Sequence, residues 1–367
     1  MKRINYYRLY NRFQSLYTFF PYNFGKGRAF RPLRYNINLT FKCNLRCPFC
    51  SIGNQADYEE LDTESWLDFI NTIPFLSLIS YSGGEVTLRP DFKTILKQSL
   101  RKAKVTFITN GTFTDDELID IIVKERLFLL GVSIDGMNEN HDNIRGVKGT
   151  FDRAITNIEK TQQRKNSSKY PLIDIKTVII NDNLRQLPEI YKLADSLKAD
   201  FFTLSFLKGC NLQFGPILED AFSERFFEEE YPIDKYFDMD TFEIVYRQLL
   251  AFSEESDTQF RFYPEFSSTR RESELETIKR FFEEGNSKRT QDIYQRCLYP
   301  WTEMSIISNG DCYPCLSYKT GNIKDAPILE LWNNERMVEF RNKVKKHGVF
   351  NSCQGCCYSR IGNPFME

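Results

Sequence analysis

The sequence predicts an α/β fold, a partial (β/α)6 TIM-like barrel that is followed by a cysteine-rich C-terminal domain. Between residues 35 and 206 the hydrophobic period alternates between short apolar runs and helical patterns, which is typical of repeated βα units. Six such units with right-handed crossovers curl into an open barrel. With 367 residues, of which 41% are hydrophobic, the chain can bury a core of that size.

Six apolar runs are the predicted strands, and five segments between them are the predicted helices. The strands are Tyr35–Leu39, Leu78–Ser82, Val105–Thr109, Phe128–Ile134, Leu172–Ile180 and Phe201–Leu207. The helices lie near residues 63–73, 91–102, 115–125, 150–163 and 185–197. Thr150 follows Gly149 and is the expected N-cap residue of the fourth helix. In barrels of this kind the chemistry lies on loops at the carboxyl ends of the strands, and these loops are therefore the candidates for a site.

Charge is distributed unevenly along a chain whose net charge is −1. Residues 1–56 carry ten basic side chains and no acid, whereas residues 217–285 carry 19 acidic and 8 basic side chains. Such runs are usually solvated faces; the alternatives are that the two segments dock on each other, or that one binds a charged substrate or an acidic membrane surface. No segment has the roughly 20 apolar residues of a membrane span, and no signal peptide is evident. The sequence therefore predicts a cytoplasmic protein with reduced thiols.

Three cysteines follow the first predicted strand, with the spacing Cys43-x3-Cys47-x2-Cys50 and with no fourth thiol or histidine nearby. Structural zinc needs four protein ligands. On a four-iron cluster, three thiolates leave one iron free for a small molecule. Further candidate residues lie at the carboxyl ends of the next three predicted strands: Gly83, Gly84 and Glu85 at the second, Thr109 and Asn110 at the third, and Ser133 at the fourth.

The motif Cys43-Asn-Leu-Arg-Cys47-Pro-Phe-Cys50, with Gly-Gly-Glu85 after the second strand, resembles the radical S-adenosylmethionine (SAM) superfamily. The resemblance implies that the three cysteines hold a [4Fe-4S] cluster whose free iron binds the amino and carboxylate groups of SAM. It also implies cofactor contacts for Gly83, Gly84 and Glu85 at the amine, Phe49 at the adenine, and Ser133 and Arg145 at the ribose and carboxylate. Asn110 is either a further cofactor contact or a turn residue.

The last third of the chain carries a second pattern, Cys297-x12-Gly-x4-Cys315, followed by Cys353-x2-Cys356. It resembles the twitch form of the SPASM extension, which implies an auxiliary [4Fe-4S] cluster closed by four thiolates. A competing interpretation pairs Cys312-x2-Cys315 with Cys353-x2-Cys356 as the knuckles of a zinc ribbon, which would make the protein a binding protein without catalysis. Iron is favoured because a ribbon leaves Cys297 without a role.

These patterns divide the chain into four expected segments: a basic aromatic N-terminal extension at 1–34, a SAM-binding barrel at 35–210, an acidic helical bridge or insertion at 211–296, and an auxiliary-cluster domain at 297–367. The resemblance implies an enzyme, a radical SAM oxidoreductase or epimerase that takes a hydrogen atom from its substrate. It also implies an electron donor of the flavodoxin or ferredoxin type.

Two classes of substrate remain open: a sugar or aminoglycoside-like small molecule, and a ribosomally made peptide that is oxidised, cross-linked or epimerised. The first 34 residues are too few for a domain that binds a peptide leader, which slightly favours the small molecule. No nucleic-acid motif is present, and contact of the basic N-terminus with a membrane surface stays an alternative. For an epimerase, Cys312 near the barrel mouth is the candidate hydrogen donor, because an S–H bond is weak; core packing is its other interpretation.

Overall fold

The computed structural model describes residues 6–50, 59–113, 115–206, 238–267, 273–283, 293–315, 318–348, 353, 356 and 358–362. Its strands are β1 Arg34–Thr40, β2 Leu78–Gly83, β3 Lys104–Thr109, β4 Leu129–Ser133, β5 Leu172–Ile179, β6 Phe201–Phe206, β7 Gln259–Tyr263, β8 Glu265–Phe266, β9 Glu303–Ile306, β10 Asp311–Tyr313, β11 Gly321–Asn322 and β12 Arg360–Ile361. Strands β1 to β6 are the six that the apolar runs predict.

In the described chain one helix precedes β1, and the others lie between the strands. The helices are α1 Tyr6–Phe24, α2 Thr63–Thr72, α3 Phe92–Lys102, α4 Asp116–Lys124, α5 Asn138–Arg145, α6 Thr150–Lys165, α7 Asn181–Leu184, α8 Leu187–Ser196, α9 Met239–Glu255, α10 Glu274–Glu283, α11 Tyr299–Thr302, α12 Ile328–Leu331 and α13 Glu335–His347. None of the helices in the described ranges is long and apolar enough to cross a membrane.

One mostly parallel sheet of ten strands organises the fold, in the order β11-β10-β9-β1-β2-β3-β4-β5-β6-β7. Strands β1 to β7 run parallel, and β9 adds to the free edge of β1, also in parallel. The antiparallel strands β10 and β11 follow at that edge. The α/β fold class is thereby confirmed, and the C-terminal third is continuous with the sheet of the barrel.

The described part of 211–296, where the sequence predicts an acidic helical bridge or insertion, contains the helices α9 and α10 and also the strands β7 and β8, of which β7 extends the parallel sheet. Arg261 of β7 is in register with Thr203 of β6. The strand is short and has a charged residue at its centre, so its apolar signal is weak. The proposed limits of the four segments stay a prediction, and residues 217–237 of the acidic stretch 217–285 lie outside the described residues.

Strand alternation separates the two faces of the sheet. On β1, Tyr35, Ile37 and Leu39 are fully buried in the core beneath the helices. Asn36 and Asn38 point to the opposite face, where Asn36 donates to Tyr299 of α11 and to Glu303 of β9, and Asn38 accepts from Ser82 of β2. We call this opposite face the inner face of the barrel; its polar lining is unlike a packed core and suits a binding cavity.

Helix α1 lies across the amino ends of β1 and β9. The Gln14 Nε2 atom donates to the Thr302 Oγ1 atom at 3.0 Å, and the Tyr10 hydroxyl donates to Glu303, the first residue of β9, at 3.4 Å. The segment after α1 continues onto the C-terminal third, where the Ala29 N–H donates to Asn333 Oδ1 at 2.9 Å. The basic N-terminal segment is therefore docked mainly on the C-terminal third.

Candidate functional site

The three-cysteine loop leaves the carboxyl end of β1 and is held there by the turn after β2. The Gly84 N–H donates to the Thr40 carbonyl, and the Glu85 N–H donates to the Lys42 carbonyl, both at 2.8 Å. The Cys50 N–H donates to the Cys47 carbonyl at 3.1 Å. These bonds fix the two motifs of the sequence, the cysteines and Gly-Gly-Glu85, side by side at one end of the barrel.

Glycine is required at both positions of the turn by this close approach. A Cβ atom on Gly84 would lie 2.1 Å from the Lys42 carbonyl oxygen. A Cβ atom on Gly83 would lie 2.2 Å from the Thr40 carbonyl oxygen, and the φ angle of Gly83 is +128°. No side chain fits into either space, and φ in this region strongly favours glycine.

The thiols themselves stand at an open surface. Cys43 and Cys50 are exposed, and Cys47 is partly buried. The Leu45 N–H donates to the Cys43 Sγ atom at 3.4 Å. Burial raises the pKa of Cys47, and the Arg145 guanidinium opposes that rise.

Glu85 is fully buried and is hydrogen-bonded both to the cysteine loop and to the end of β3. Its carboxylate accepts hydrogen bonds from the Thr109 hydroxyl at 2.8 Å and from the Asn110 N–H at 2.7 Å, besides those from Thr87. Burial raises the pKa of Glu85, while these bonds oppose the shift. The described contacts give Glu85 a positioning role, and its contact with a SAM amine stays a prediction.

Asn110 ties the end of β3 directly to the cysteine loop. Its Nδ2 atom donates to the Asn44 Oδ1 atom at 2.8 Å, and the Asn44 Nδ2 atom donates to the Thr112 hydroxyl at 2.9 Å. Sequence reasoning missed Asn44 and Thr112; the signal that could have found Asn44 is its place beside the first cysteine. Asn110 is a turn residue in these contacts, since its Oδ1 atom accepts from Thr112.

Arg145, the last residue of α5, places a positive charge beside the cysteine loop. Its Nη1 atom lies 3.7 Å from Cys47 Sγ, and its guanidinium forms an ion pair with Asp135, whose side chain is fully buried. The Phe49 ring centroid lies 5.9 Å from the Arg145 Cζ atom. Phe49 and Arg145 are thus brought together with the cysteines, and Asp135 is a site residue that sequence reasoning missed.

Ser133 ends β4 and faces β5, where it is in register with Lys176. Lys176 belongs to a charged cluster on the inner face: its Nζ atom and Arg261 Nη2 lie 2.8 Å and 2.7 Å from the same Asp174 oxygen. Burial alone would raise the pKa of Asp174, but the two cations outweigh it and the pKa is lowered. Among the described residues this cluster pairs two cations with one carboxylate, an arrangement that suits an anionic group.

The C-terminal cysteines converge beside a second, smaller core. Cys297, Cys315 and Cys353 all pack against the buried cluster formed by Trp301, Tyr318, Phe340 and Val344. Burial raises the pKa of Cys297 to about 12, and the nearby thiol of Cys356 adds to that rise. The four cysteines of the predicted auxiliary set are therefore neighbours in the fold.

Two family models match this chain, one over the barrel with the first cysteine set and one over the C-terminal part with the second. The model of the Radical SAM superfamily matches residues 37–194, and that of the SPASM family, an iron-sulfur cluster-binding domain, matches residues 297–357. The chain belongs to the radical SAM superfamily. Its cofactors are SAM, the [4Fe-4S] cluster of that superfamily and auxiliary iron–sulfur, as its SPASM domain implies.

Relatives of this radical SAM protein carry several activities. It is 27% identical to the AdoMet-dependent heme synthase of Methanosarcina barkeri over 88% of each chain. It is 26% identical to the cysteine-type anaerobic sulfatase-maturating enzyme of Clostridium novyi, over 86% of this chain and 82% of that one. Streptococcus suis SuiB bound to its precursor peptide SuiA has the same fold, with a TM-score of 0.64, 19% identity and coverage of 98% of this chain and 78% of that chain.

The donor set of this radical SAM protein fits iron–sulfur clusters. Within the described ranges, no three Cys, His, Asp or Glu side chains converge on one point as the ligands of a single metal ion would. A four-iron cluster binds each thiolate to a different iron, so its ligands need not converge in that way. Both cysteine sets consist of neighbouring thiols, one set on a loop and the other beside a small core. This spread suits the ligands of a four-iron cluster better than those of a single metal ion.

Cys312 does not lie with the other C-terminal cysteines, and its expected place near the barrel mouth is wrong. Its side chain is fully enclosed in the main core, and its Sγ atom contacts the Gly310 carbonyl at 3.6 Å. The residue lies on the buried strand β10, whose apolar environment raises the pKa of the thiol. Cys210 and Cys357, the other two cysteines outside the predicted ligand sets, lie outside the described residues.

Proposed function

We propose that this radical SAM enzyme takes a hydrogen atom from a peptide substrate and that Cys43, Cys47 and Cys50 hold the cluster that binds SAM. The observation that carries the proposal is the position of the cysteine loop, which is held against the turn at Gly84 and lies beside Arg145 at the carboxyl end of the polar barrel. The sulfatase-maturating relative, which aligns over 86% of this chain, favours a peptide. The reducing electron comes from a flavodoxin- or ferredoxin-type donor.

A [4Fe-4S] cluster held by Cys43, Cys47 and Cys50 would supply the electron for the reductive cleavage of SAM, and with it the means to remove a hydrogen atom from the substrate. The chain's own residues provide position and exclusion of water. Gly83 and Gly84, whose backbone packs directly against the cysteine loop, meet the amine of SAM, and Ser133 and Arg145 meet its ribose and carboxylate. Glu85 and Asn110 hold the loop by the hydrogen bonds described above.

Oxidation is the expected outcome, with Cys297, Cys315, Cys353 and Cys356 holding the auxiliary cluster. A cluster held by these four thiolates would accept one electron, so that the substrate, having lost a hydrogen atom, one electron and one proton, would give a product two hydrogens lighter. Epimerisation needs a donor that returns a hydrogen atom to the substrate radical. The enclosure of the Cys312 side chain in the main core argues against that residue as the donor.

A small molecule with carboxylate groups is the second candidate substrate. Two observations favour it: the heme synthase relative aligns over 88% of this chain, and Lys176 and Arg261 place two cations on the inner face. A sugar or aminoglycoside offers no carboxylate to that cluster, so the sugar-like member of this class is the less favoured one.

The test begins with anaerobically purified protein, its iron and sulfide content, and its formation of 5′-deoxyadenosine from SAM under reduction. The matched control replaces Cys43, Cys47 and Cys50 with Ala, and it should lose all cleavage while keeping the C-terminal iron. Cleavage in that triple variant would refute the assignment of the cluster.

The substrate class is tested with extracts of host cells grown on deuterated amino acids. The extract is divided by size, and each fraction is incubated with the enzyme and SAM. If the substrate is a peptide, the fraction above about 1 kDa should transfer deuterium to 5′-deoxyadenosine, and protease treatment of that fraction should abolish the transfer. Transfer from the small-molecule fraction, unaffected by protease, would favour the second candidate instead.

A further inference from the structure

Helix α1 has its polar face turned inward and its apolar face turned to solvent, the reverse of an ordinary surface helix. Gln14 and Thr18 are buried against the barrel. Five large apolar side chains on the other side are between 50% and 78% exposed: Leu9, Phe13, Leu16, Phe20 and Phe24. We call these five residues the outer stripe.

The outer stripe is continuous, because its positions follow the helical repeat of i, i+4, i+7, i+11 and i+15. Phe19 and Phe30 flank it and are also exposed. Single exposed apolar residues are ordinary, but contiguous apolar patches of this extent on a folded protein mark an interaction surface.

Inward contacts hold the stripe in this orientation. Asn11 donates to Glu265 at 2.7 Å, and Gln14 donates to Thr302 at 3.0 Å. At the end of the helix, the Tyr22 ring packs on Trp301 with the ring centroids 4.7 Å apart. Rotating the helix to hide the stripe would break these bonds and expose the buried polar side chains, so the fold presents the stripe outward.

Positive charge lies beside the outer stripe and beyond its end. Arg12 on α1, and Lys26, Arg28 and Arg31 just after it, are exposed, and no acid occurs in residues 1–56. From α13, the exposed Lys345 donates to the Tyr22 carbonyl at 2.7 Å and adds a further cation beside the end of α1. An apolar stripe bordered by cations is complementary to an anionic lipid surface, where acyl chains lie beneath phosphates.

We propose that α1 anchors the protein to the surface of an anionic membrane. The outer stripe enters the boundary between headgroups and acyl chains, and the surrounding arginines and lysines meet the phosphates. A second copy of the chain is disfavoured as the occupant, because stripe-to-stripe packing would bring two cationic borders together. The amino ends of the strands then face the membrane, and the cysteine loop, at the other end of β1 and about 20 Å away, faces away from it.

The anchor is tested by co-flotation of the full-length protein with lipid vesicles. Wild-type protein should float with vesicles of 30% phosphatidylglycerol in phosphatidylcholine and not with phosphatidylcholine alone, and about 0.5 M salt should weaken the binding. The double variant Leu16→Glu/Phe20→Glu should bind at least about tenfold more weakly, since it removes apolar area and adds negative charge.

The matched control is Phe75→Glu/Ile244→Glu, which makes the same change of charge at two exposed apolar residues elsewhere on the surface. It should bind vesicles like the wild type, and both variants should keep the wild-type melting temperature and rate of SAM cleavage. Equal loss in the control, or no binding of the wild type to anionic vesicles, would overturn the proposal. A dimer in light scattering that Leu16→Glu/Phe20→Glu dissociates, without vesicle binding by the wild type, would assign the stripe to a second copy.

Discussion

The Nη1 atom of Arg145 lies 3.7 Å from the Sγ atom of Cys47. The same guanidinium pairs with Asp135, which is fully buried and accepts the Val178 N–H at 2.7 Å. In addition, the Arg46 N–H donates to the Arg145 carbonyl at 3.0 Å. Arg145 thus connects the cysteine loop after β1 to the strand ends of β4 and β5, which combines a structural role with a place beside the proposed SAM carboxylate.

A pair of variants separates these two roles of Arg145. Arg145→Met leaves the Asp135 carboxylate buried without its cation and should lower the free energy of unfolding by about 3–5 kcal/mol. Asp135→Asn/Arg145→Met removes both charges and should recover most of that loss, while the KM for SAM stays raised about tenfold or more because the guanidinium is gone.

The measurements are urea unfolding and the SAM dependence of 5′-deoxyadenosine formation, both under anaerobic conditions. If the double variant recovers wild-type KM along with stability, then Arg145 acts only through the structure. Loss of iron in both variants would instead show that the cysteine loop itself depends on the arginine.

Gly84→Ala tests whether the turn after β2 positions the cysteine loop. The new Cβ atom would lie 2.1 Å from the Lys42 carbonyl oxygen, so the loop must shift. We expect at least about a tenfold loss of SAM cleavage, because small displacements of reacting groups are costly. The matched control is Gly149→Ala. Nothing lies within 4 Å of its new Cβ atom, so the only cost is the strain of an alanine at a φ of +74°.

Gly149→Ala should cost about 1 kcal/mol of stability and leave SAM cleavage unchanged. Wild-type cleavage by Gly84→Ala would show that the loop tolerates displacement and that the glycine is not required for positioning.

The parallel barrel strands and the cysteines were predictable because each has a local signal. Residues 105–109 and 172–180 are apolar runs between turns, and spacing alone groups Cys43, Cys47 and Cys50. Strand β7 was not predictable, because Arg261 interrupts its apolar pattern and its partners in β6 lie more than 50 residues away.

Hydrogen bonds between polar side chains and groups far from them in the sequence were not predicted either. Thr150 is the expected N-cap of α6, but it is the first residue of that helix. The orphan N–H groups of Thr150 and Phe151 instead donate to the Asp142 carboxylate at 2.9 Å. No local pattern shows that a side chain eight residues upstream will cap this helix. For the same reason Asn44 and Asp135 were missed at the site.

His141 should make the protein sensitive to acid. Burial, and then the Arg145 charge, lowers the pKa of His141 to about 3, and its Nδ1 atom accepts the Asp135 N–H at 3.1 Å. In the unfolded chain the pKa is about 6.5. As the pH falls below 6.5, the unfolded state gains a proton that the folded state does not. The free energy of unfolding should therefore fall by about 1.4 kcal/mol per pH unit, roughly 2 kcal/mol at pH 5.

The measurement is urea unfolding of wild-type protein and His141→Asn from pH 7.5 to pH 5. Effects of acid on the clusters are common to both proteins, so the difference between the two curves isolates the histidine. That difference should grow in favour of the variant as the pH falls, and parallel curves would contradict the lowered pKa.

Cys315→Ala and Cys312→Ala distinguish an auxiliary iron–sulfur cluster from a zinc ribbon, because only the ribbon uses Cys312. Cys315 packs beside Cys297 and Cys353, whereas Cys312 lies in the separate main core.

With two four-iron clusters the protein should hold about eight irons per chain. Cys315→Ala should lose about half of them, and Cys312→Ala should keep all of them at a cost of about 1 kcal/mol for the lost buried sulfur. Metal and acid-labile sulfide analysis per chain gives the answer: one zinc per chain that disappears in Cys312→Ala but stays in Cys297→Ala would establish the ribbon and remove the electron acceptor from the proposed oxidation.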